Sequence, residues 1–293
     1  MNLPKSVTRL IVGLIIGFTA LFAIIYGGIP LTLLVLAVVV IGAKEYTKIL
    51  ENKGFLPSFK VIIISSLLFA ILAYFNRIDL IPLAFTFATF FAFLCVLFRG
   101  KQPYIANVAT TILGFVYCGW FPLHLLFLRD IGCCEPIYNG FIKHNPSYDG
   151  AAYAVLMLLG VILTDSFCYY AGLQFGKHKL AEVISPNKTI EGSIGGSLAC
   201  ILFCTIFGLF VFHLPWYHAV ILGVLITAFA QIGDLCESMI KRDAGVKDSS
   251  DIIPGHGGFL DRTDSYILTI PVVYYYLEFF VNNNFLDLLK GLF

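Results

Sequence analysis

An all-α, polytopic integral membrane fold is what this sequence predicts, and three observations predict it. Apolar residues make up 59% of the 293 positions and charged ones only 13%, with a mean hydropathy of +0.88. A soluble domain of this size could not hide that much apolar surface. The apolar residues also gather into runs of about 20, the length that crosses a bilayer as a helix. Nine such runs lie near 8–26, 29–43, 60–75, 78–98, 106–128, 150–173, 190–212, 216–240 and 264–284. Finally, when Lys and Arg are summed on the two alternating sides of those runs, most fall on one side. Lys5, Arg9, Lys44, Lys48, Lys53, Lys60, Arg99, Lys101, Lys177, Lys179, Lys188, Lys241, Arg242, Lys247 and Arg262 share one side, while only Arg77, Arg129, Lys143 and Lys290 fall on the other. Fifteen against four makes the first side cytoplasmic, with the N-terminus inside and the C-terminus outside. The expectation is one domain over 1–293, with a scaffold half (1–128) and a catalytic half (150–293), in the cell membrane.

The first run follows Lys5 and Arg9, as a signal peptide would. No small-x-small cleavage site comes after it and a second apolar run starts at once, so it reads as a retained span. That second run is short unless it extends into Glu45, which leaves eight or ten spans open. Up to residue 128 the runs hold few polar residues, as a lipid-facing scaffold would. The stretch 129–150 is the longest polar loop and falls outside; Pro146 spoils Asn145-Pro146-Ser147 as a glycosylation acceptor. Eight cysteines without a C-x-x-C pair indicate neither a zinc site nor a disulfide framework, and the vicinal Cys133 and Cys134 read as free thiols. The net charge of +1 argues against nucleic acid as a partner.

From the sixth run onward the character changes. Asp165 lies inside that run, and an intramembrane acid is a functional candidate by default. A packing hydrogen bond to Ser166 or Tyr169 is the alternative. Ser185, Lys188 and Thr189 stand just before the seventh run, where the free N–H groups of a helix start favour phosphate. Gly192 and Gly196, four apart, read as close helix packing. Gly172-x-x-x-Gly176-Lys177 falls short of a P-loop: it is one residue too short, lacks Ser or Thr after the lysine, and follows a helix.

The chain is organised around 231–265, QIGDLCESMIKRDAGVKDSSDIIPGHGGFLDRTDS. Asp234, Glu237, Asp243, Asp248, Asp251, Asp261 and Asp264 are interleaved there with Lys241, Arg242, Lys247 and Arg262. Carboxylates mixed with cations suit a Mg²⁺–phosphate site, because Mg²⁺ prefers a few carboxylate oxygens plus substrate phosphates. A helix running through Arg242 puts Asp234, Ser238, Lys241 and Arg242 on one face. Asp261 and Asp264, three apart, open the next helix, and the Pro/Gly-rich turn between could bring the two acidic faces together. A solvated loop with acids at a helix N-terminus is the bland alternative. His256 lacks a second histidine at ligand spacing, so a zinc enzyme is not expected.

Ser238-x-Ile240-Lys241-Arg242, Lys247-Asp248, Ser250 and Ile253-Pro254-x-His256-Gly257-Gly258-Phe259-x-Asp261-Arg262-Thr263-Asp264 resemble the signature of the phosphatidate cytidylyltransferases (CDP-diacylglycerol synthases). Phe175-Gly176-Lys177 and Ser185-Pro186-x-Lys188-Thr189-x-Glu191-Gly192 resemble a second, less specific block of the same family. The resemblance implies transfer of a cytidylyl group from CTP to phosphatidic acid, giving CDP-diacylglycerol and pyrophosphate, with Mg²⁺ as cofactor and the active site facing the cytoplasm. On this reading Asp234 and Asp261 are the metal ligands, with Asp264 and Asp248 in reserve. Lys241, Arg242 and Arg262 neutralise phosphates, and His256 orients one as a donor. Lys177, Ser185, Lys188, Thr189, Ser238, Lys247 and Asp248 contribute to substrate binding. The partners are the two substrates and the bilayer; a homodimer is compatible with the reading but specified by no residue pattern. A CTP-dependent polyprenol kinase would share the setting but release CDP, and a transporter would more often carry inverted repeats, of which none is visible.

Overall fold

A computed structural model describes residues 5–132, 137–139, 142–144, 149–252 and 257–282. The chain is overwhelmingly helical, as its composition requires. The helices are α1 (Lys5–Tyr26), α2 (Gly28–Asn52), α3 (Phe59–Tyr74), α4 (Ile81–Arg99), α5 (Tyr104–Gly114), α6 (Phe121–Asp130), α7 (Asp149–Phe175), α8 (Ile190–Phe210), α9 (Trp216–Asp243) and α10 (Leu260–Tyr276). Among the described residues six helical segments are long and apolar enough to cross a membrane: Gly28–Asn52, Ile78–Arg99, Tyr104–Asp130, Asp149–Phe175, Ile190–Phe210 and Trp216–Asp243. Ile11–Tyr26 and Phe59–Tyr74 are apolar but shorter. Large apolar side chains such as Phe98 and Ile105 are more than four-fifths exposed, a surface that only lipid or protein can cover.

The chain divides into two compact units. The first comprises Met1–Leu126, Ile137–Asn145 and Ile240–Thr263; the second comprises Phe127–Pro136, Pro146–Met239 and Asp264–Phe293. Both α9 and α10 therefore belong in part to each. In the first unit, Phe69 packs its ring against Phe85, Phe115 and Trp120 with centroids 4.6–6.1 Å apart. Helices α5 and α6 are joined by a widened π-helical turn, Phe115–Trp120. Pro122 follows it and has no N–H to return to the Cys118 carbonyl, a known cause of such widening. The turn before α3 is held by side chains: Asn107 accepts from the Leu56 N–H at 2.7 Å, and Thr111 accepts from the Ser58 N–H at 2.9 Å.

In the second unit, α8 packs on α7 through positions where no side chain would fit. A Cβ at Gly192 would stand 2.6 Å from the Cys168 carbonyl oxygen, and one at Gly196 would stand 2.6 Å from that of Thr164. Close packing is thus the role of this glycine pair, as its spacing predicts. The segment between α7 and α8 is a small antiparallel hairpin, β1 (Lys179–Ala181) with β2 (Ser185–Thr189), where the sequence reads only as a loop. It is too short to show an alternation of apolar and polar residues. A further two-stranded pair joins Ile137–Asn139 to Ile142–His144 in the long polar loop. Cys133, Cys134 and the Asn145-Pro146-Ser147 triplet lie outside the described residues.

Candidate active site

The end of α9 and the start of α10 form where the charge pattern predicts: α9 runs unbroken to Asp243 and α10 opens at Leu260. Helix α9 carries Asp234, Ser238 and Lys241 at helical spacing, and Ser238 Oγ donates to Asp234 Oδ1 at 3.4 Å. Asp261 and Asp264 stand three apart on α10.

Within the first unit the centre is Asp261. Lys241, only 8% exposed, donates to its Oδ1. The Ser249 N–H, the Ser249 hydroxyl and the Gly258 N–H all reach its Oδ2 at 3.0 Å. Gly258 fits this arrangement because it has no side chain: a Cβ there would overlap Ser249 Oγ and come within 2.9 Å of Asp261 Oδ2. Gly257, beside it, has φ +83°, a backbone that L side chains rarely adopt. A second carboxylate, Glu45 of α2, is buried against the same segment and accepts from Ser249, Ser250, Phe259 and Leu260. Arg242, Lys247, Asp248 and Arg262 are exposed, with Arg242 Nη1 donating to the Val246 carbonyl at 3.3 Å. Lys53 pairs with Asp243 at 2.9 Å and ties the turn after α2 to the last residue of α9. His256 and Pro254 lie outside the described residues.

Within the second unit the centre is Asp234, which pairs with Lys188 from β2. Asp264 is 7% exposed and accepts from the Ser265 N–H at 2.7 Å. Its closeness to α9 depends on Gly233, where a Cβ would stand 2.6 Å from the Asp264 carbonyl oxygen. The negative charges of Asp234, Glu237 and Asp165 all act on Asp264. Glu237 is buried and Asp165 is exposed on α7. The hairpin bearing Lys188 is fastened by Glu191, which accepts from the N–H groups of Lys177 (3.0 Å) and His178 (3.2 Å) and contacts His178 Nδ1 at 2.6 Å. Lys177 is exposed, Ser185 is half-buried, and Thr189 caps α8 by accepting from the Gly192 N–H at 3.2 Å. Between α8 and α9, Gln231 joins Ser193, Ser197 and Thr227 in one polar network.

The sequence reading misses three of these groups. Glu45 serves it only as the end of a span, Glu191 only as a motif letter, and Gln231 only as the start of a stretch. An acid directly behind a long apolar run, as in VVVIGAKEY, is the signal that marks Glu45.

Each central acid thus holds a lysine: Asp234 has Lys188 and Asp261 has Lys241. A hard divalent ion suits such donors in kind, since it takes carboxylate oxygens, and Asp264, buried amid like charges, sits where a cation would be favoured. Among the described residues, no three acid, histidine or cysteine groups are gathered closely enough to hold one ion.

A sequence model of the Cytidylyltransferase family matches residues 7–280. A protein of Synechocystis named phosphatidate cytidylyltransferase is 34% identical over 290 residues, covering 92% of this chain and 96% of its own. One of the same name from Bacillus subtilis is 31% identical over 284 residues, covering 93% and 97%. The chloroplastic phosphatidate cytidylyltransferase 4 of Arabidopsis thaliana is 34% identical over 293 residues, covering 92% of this chain and 73% of its own.

Proposed function

This chain belongs to the cytidylyltransferase family, and from that premise we propose that it transfers the cytidylyl group of CTP to phosphatidic acid, forming CDP-diacylglycerol and pyrophosphate. The observation that carries the reading is the match over nearly the whole chain to relatives of that name. An oxygen of the lipid phosphate attacks the α-phosphorus of CTP, the bond to the β-phosphate oxygen breaks, and pyrophosphate leaves. The nucleophile comes with the substrate, so no serine, cysteine or histidine nucleophile is required. Catalysis then consists of in-line positioning and charge neutralisation.

The two acid–lysine pairs suit that task. A lysine parted from its acid takes a phosphate oxygen, and the acid it leaves takes a cation, so neither charge is left bare. Lys241, Arg242 and Arg262 neutralise the phosphates, with Lys177, Lys188 and Lys247 alongside. Ser185, Thr189 and Ser238 supply hydroxyl donors, and His256 orients a phosphate. Asp234 and Asp261 would hold Mg²⁺ together with the substrate phosphates, with Asp264 and Asp248 in reserve; bound there, the ion would supply positive charge to the triphosphate. The same reading gives nine spans, a cytoplasmic N-terminus and a cytoplasm-facing site in the cell membrane, supported by the bias of Lys and Arg. The test is pyrophosphate release from CTP by the purified protein in detergent. Release that requires phosphatidic acid supports the reaction; release without it, or none with it, contradicts it.

A further inference from the structure

Glu45 makes more hydrogen bonds to the signature segment than a packing residue needs. Its Oε1 accepts from the Ser250 hydroxyl and from the Phe259 N–H at 2.9 Å. Its Oε2 accepts from the Ser249 hydroxyl at 3.2 Å and from the Leu260 N–H at 2.6 Å. Four donors fill the capacity of one carboxylate, and the side chain is 1% exposed. Two of the donors precede the stretch 251–258 and two follow it, so one side chain fastens both its ends. The Phe259 and Leu260 N–H groups also stand at the start of α10, where a negative charge is favoured.

Asp261 grips the same segment through Ser249 and Gly258. The Ser249 hydroxyl lies 3.2 Å from Glu45 Oε2 and 3.0 Å from Asp261 Oδ2, yet it has one proton and serves one carboxylate at a time. We propose that Glu45 is a positioning residue for the cytidylyl transfer: it holds Ser249, Ser250, Phe259 and Leu260 in place so that Asp261 stays presented when Lys241 and the Ser249 hydroxyl are drawn away from it. The inference rests on the reaction proposed above. In the resting arrangement Ser249 is shared; when Asp261 is engaged elsewhere, the hydroxyl passes to Glu45 and the segment keeps its anchor. A glutamine could not substitute, because it has a single acceptor oxygen and, whichever way it turned, its NH₂ group would face the N–H of Phe259 or of Leu260.

The test compares full-length wild type, Glu45→Gln and Ser249→Ala/Ser250→Ala in detergent, measuring kcat, KM for CTP and for phosphatidic acid, CTP-binding stoichiometry, and the rate of tryptic cleavage after Lys247. Glu45→Gln is expected to lower kcat by about tenfold or more. KM for phosphatidic acid and the stoichiometry of CTP binding should stay within about twofold, and cleavage after Lys247 should quicken. A merely structural role would instead lower stoichiometry and kcat together. Should Glu45→Gln fail to insert, the double serine change leaves Glu45 and its two backbone donors in place and is expected to lower kcat about threefold with the same split. Wild-type kcat in the variant that inserts would overturn the inference while the reaction stands. A wild-type protein that releases no pyrophosphate would overturn the reaction, and the inference with it.

Discussion

Lys188 and Lys241 each rest on an acid that the reaction would take from them, so charge-neutral substitution of those acids is the sharpest residue-level probe. Asp234→Asn and Asp261→Asn keep the shape of the side chain but remove its charge. Each is expected to lower turnover by on the order of 100-fold or more while the protein still inserts. If the two acids hold one ion as proposed, the double change should be scarcely worse than either single one. Wild-type rate and Mg²⁺ dependence in Asp234→Asn, read across a Mg²⁺ titration, would move the metal site elsewhere, with Asp165 and Asp248 next in line. Lys241→Ala and Arg262→Ala each remove a charge-assisted contact worth about 1.5–3 kcal/mol. A loss of about tenfold or more in kcat/KM is expected for each, and full activity in both would reduce the charged stretch to a solvated face. Gly258→Ala should be nearly as harmful without removing a charge. Its methyl group would collide with Ser249 Oγ, and overpacking of this kind costs about 1–3 kcal/mol.

Among the elements, the end of α9 and the start of α10 were the most legible in the sequence, because charge at helical spacing behind an apolar run marks them and the faces of Asp234, Ser238 and Lys241. The hairpin before α8 was not. What orders it is Glu191 accepting from the backbone of Lys177 and His178, and hydrogen bonds to backbone leave no mark in residue type. Glu191→Ala should therefore loosen β1 and β2, raising KM for CTP severalfold with a smaller change in kcat. Unchanged KM would mean that the hairpin's order has no part in binding. The pairing of Lys188 with Asp234 was legible only as two separate candidates, since the hairpin and α9 meet through tertiary packing. The partners of Glu45 were illegible for the same reason: Ser249 and Ser250 lie 204 and 205 positions along the chain.

For the whole molecule, composition sufficed to predict a helical membrane protein, and it could do so because hydropathy is a bulk property that needs no tertiary information. The number of spans is a finer matter: among the described residues six helices meet the length and hydropathy of a crossing, and α3, at 16 residues, is short for one. Orientation is tested by labelling intact cells with a membrane-impermeant thiol reagent. Cys133 and Cys134 should be labelled, and a cysteine introduced at Lys247 should not. The opposite pattern would invert the topology. The reaction itself is tested most directly by tracing phosphorus. The purified protein is given phosphatidic acid and CTP labelled either at the α- or at the γ-phosphate. Cytidylyl transfer predicts that the α-label enters the lipid while the γ-label leaves as pyrophosphate. Appearance of the γ-label in the lipid, with release of CDP, would mark a lipid kinase and contradict the account.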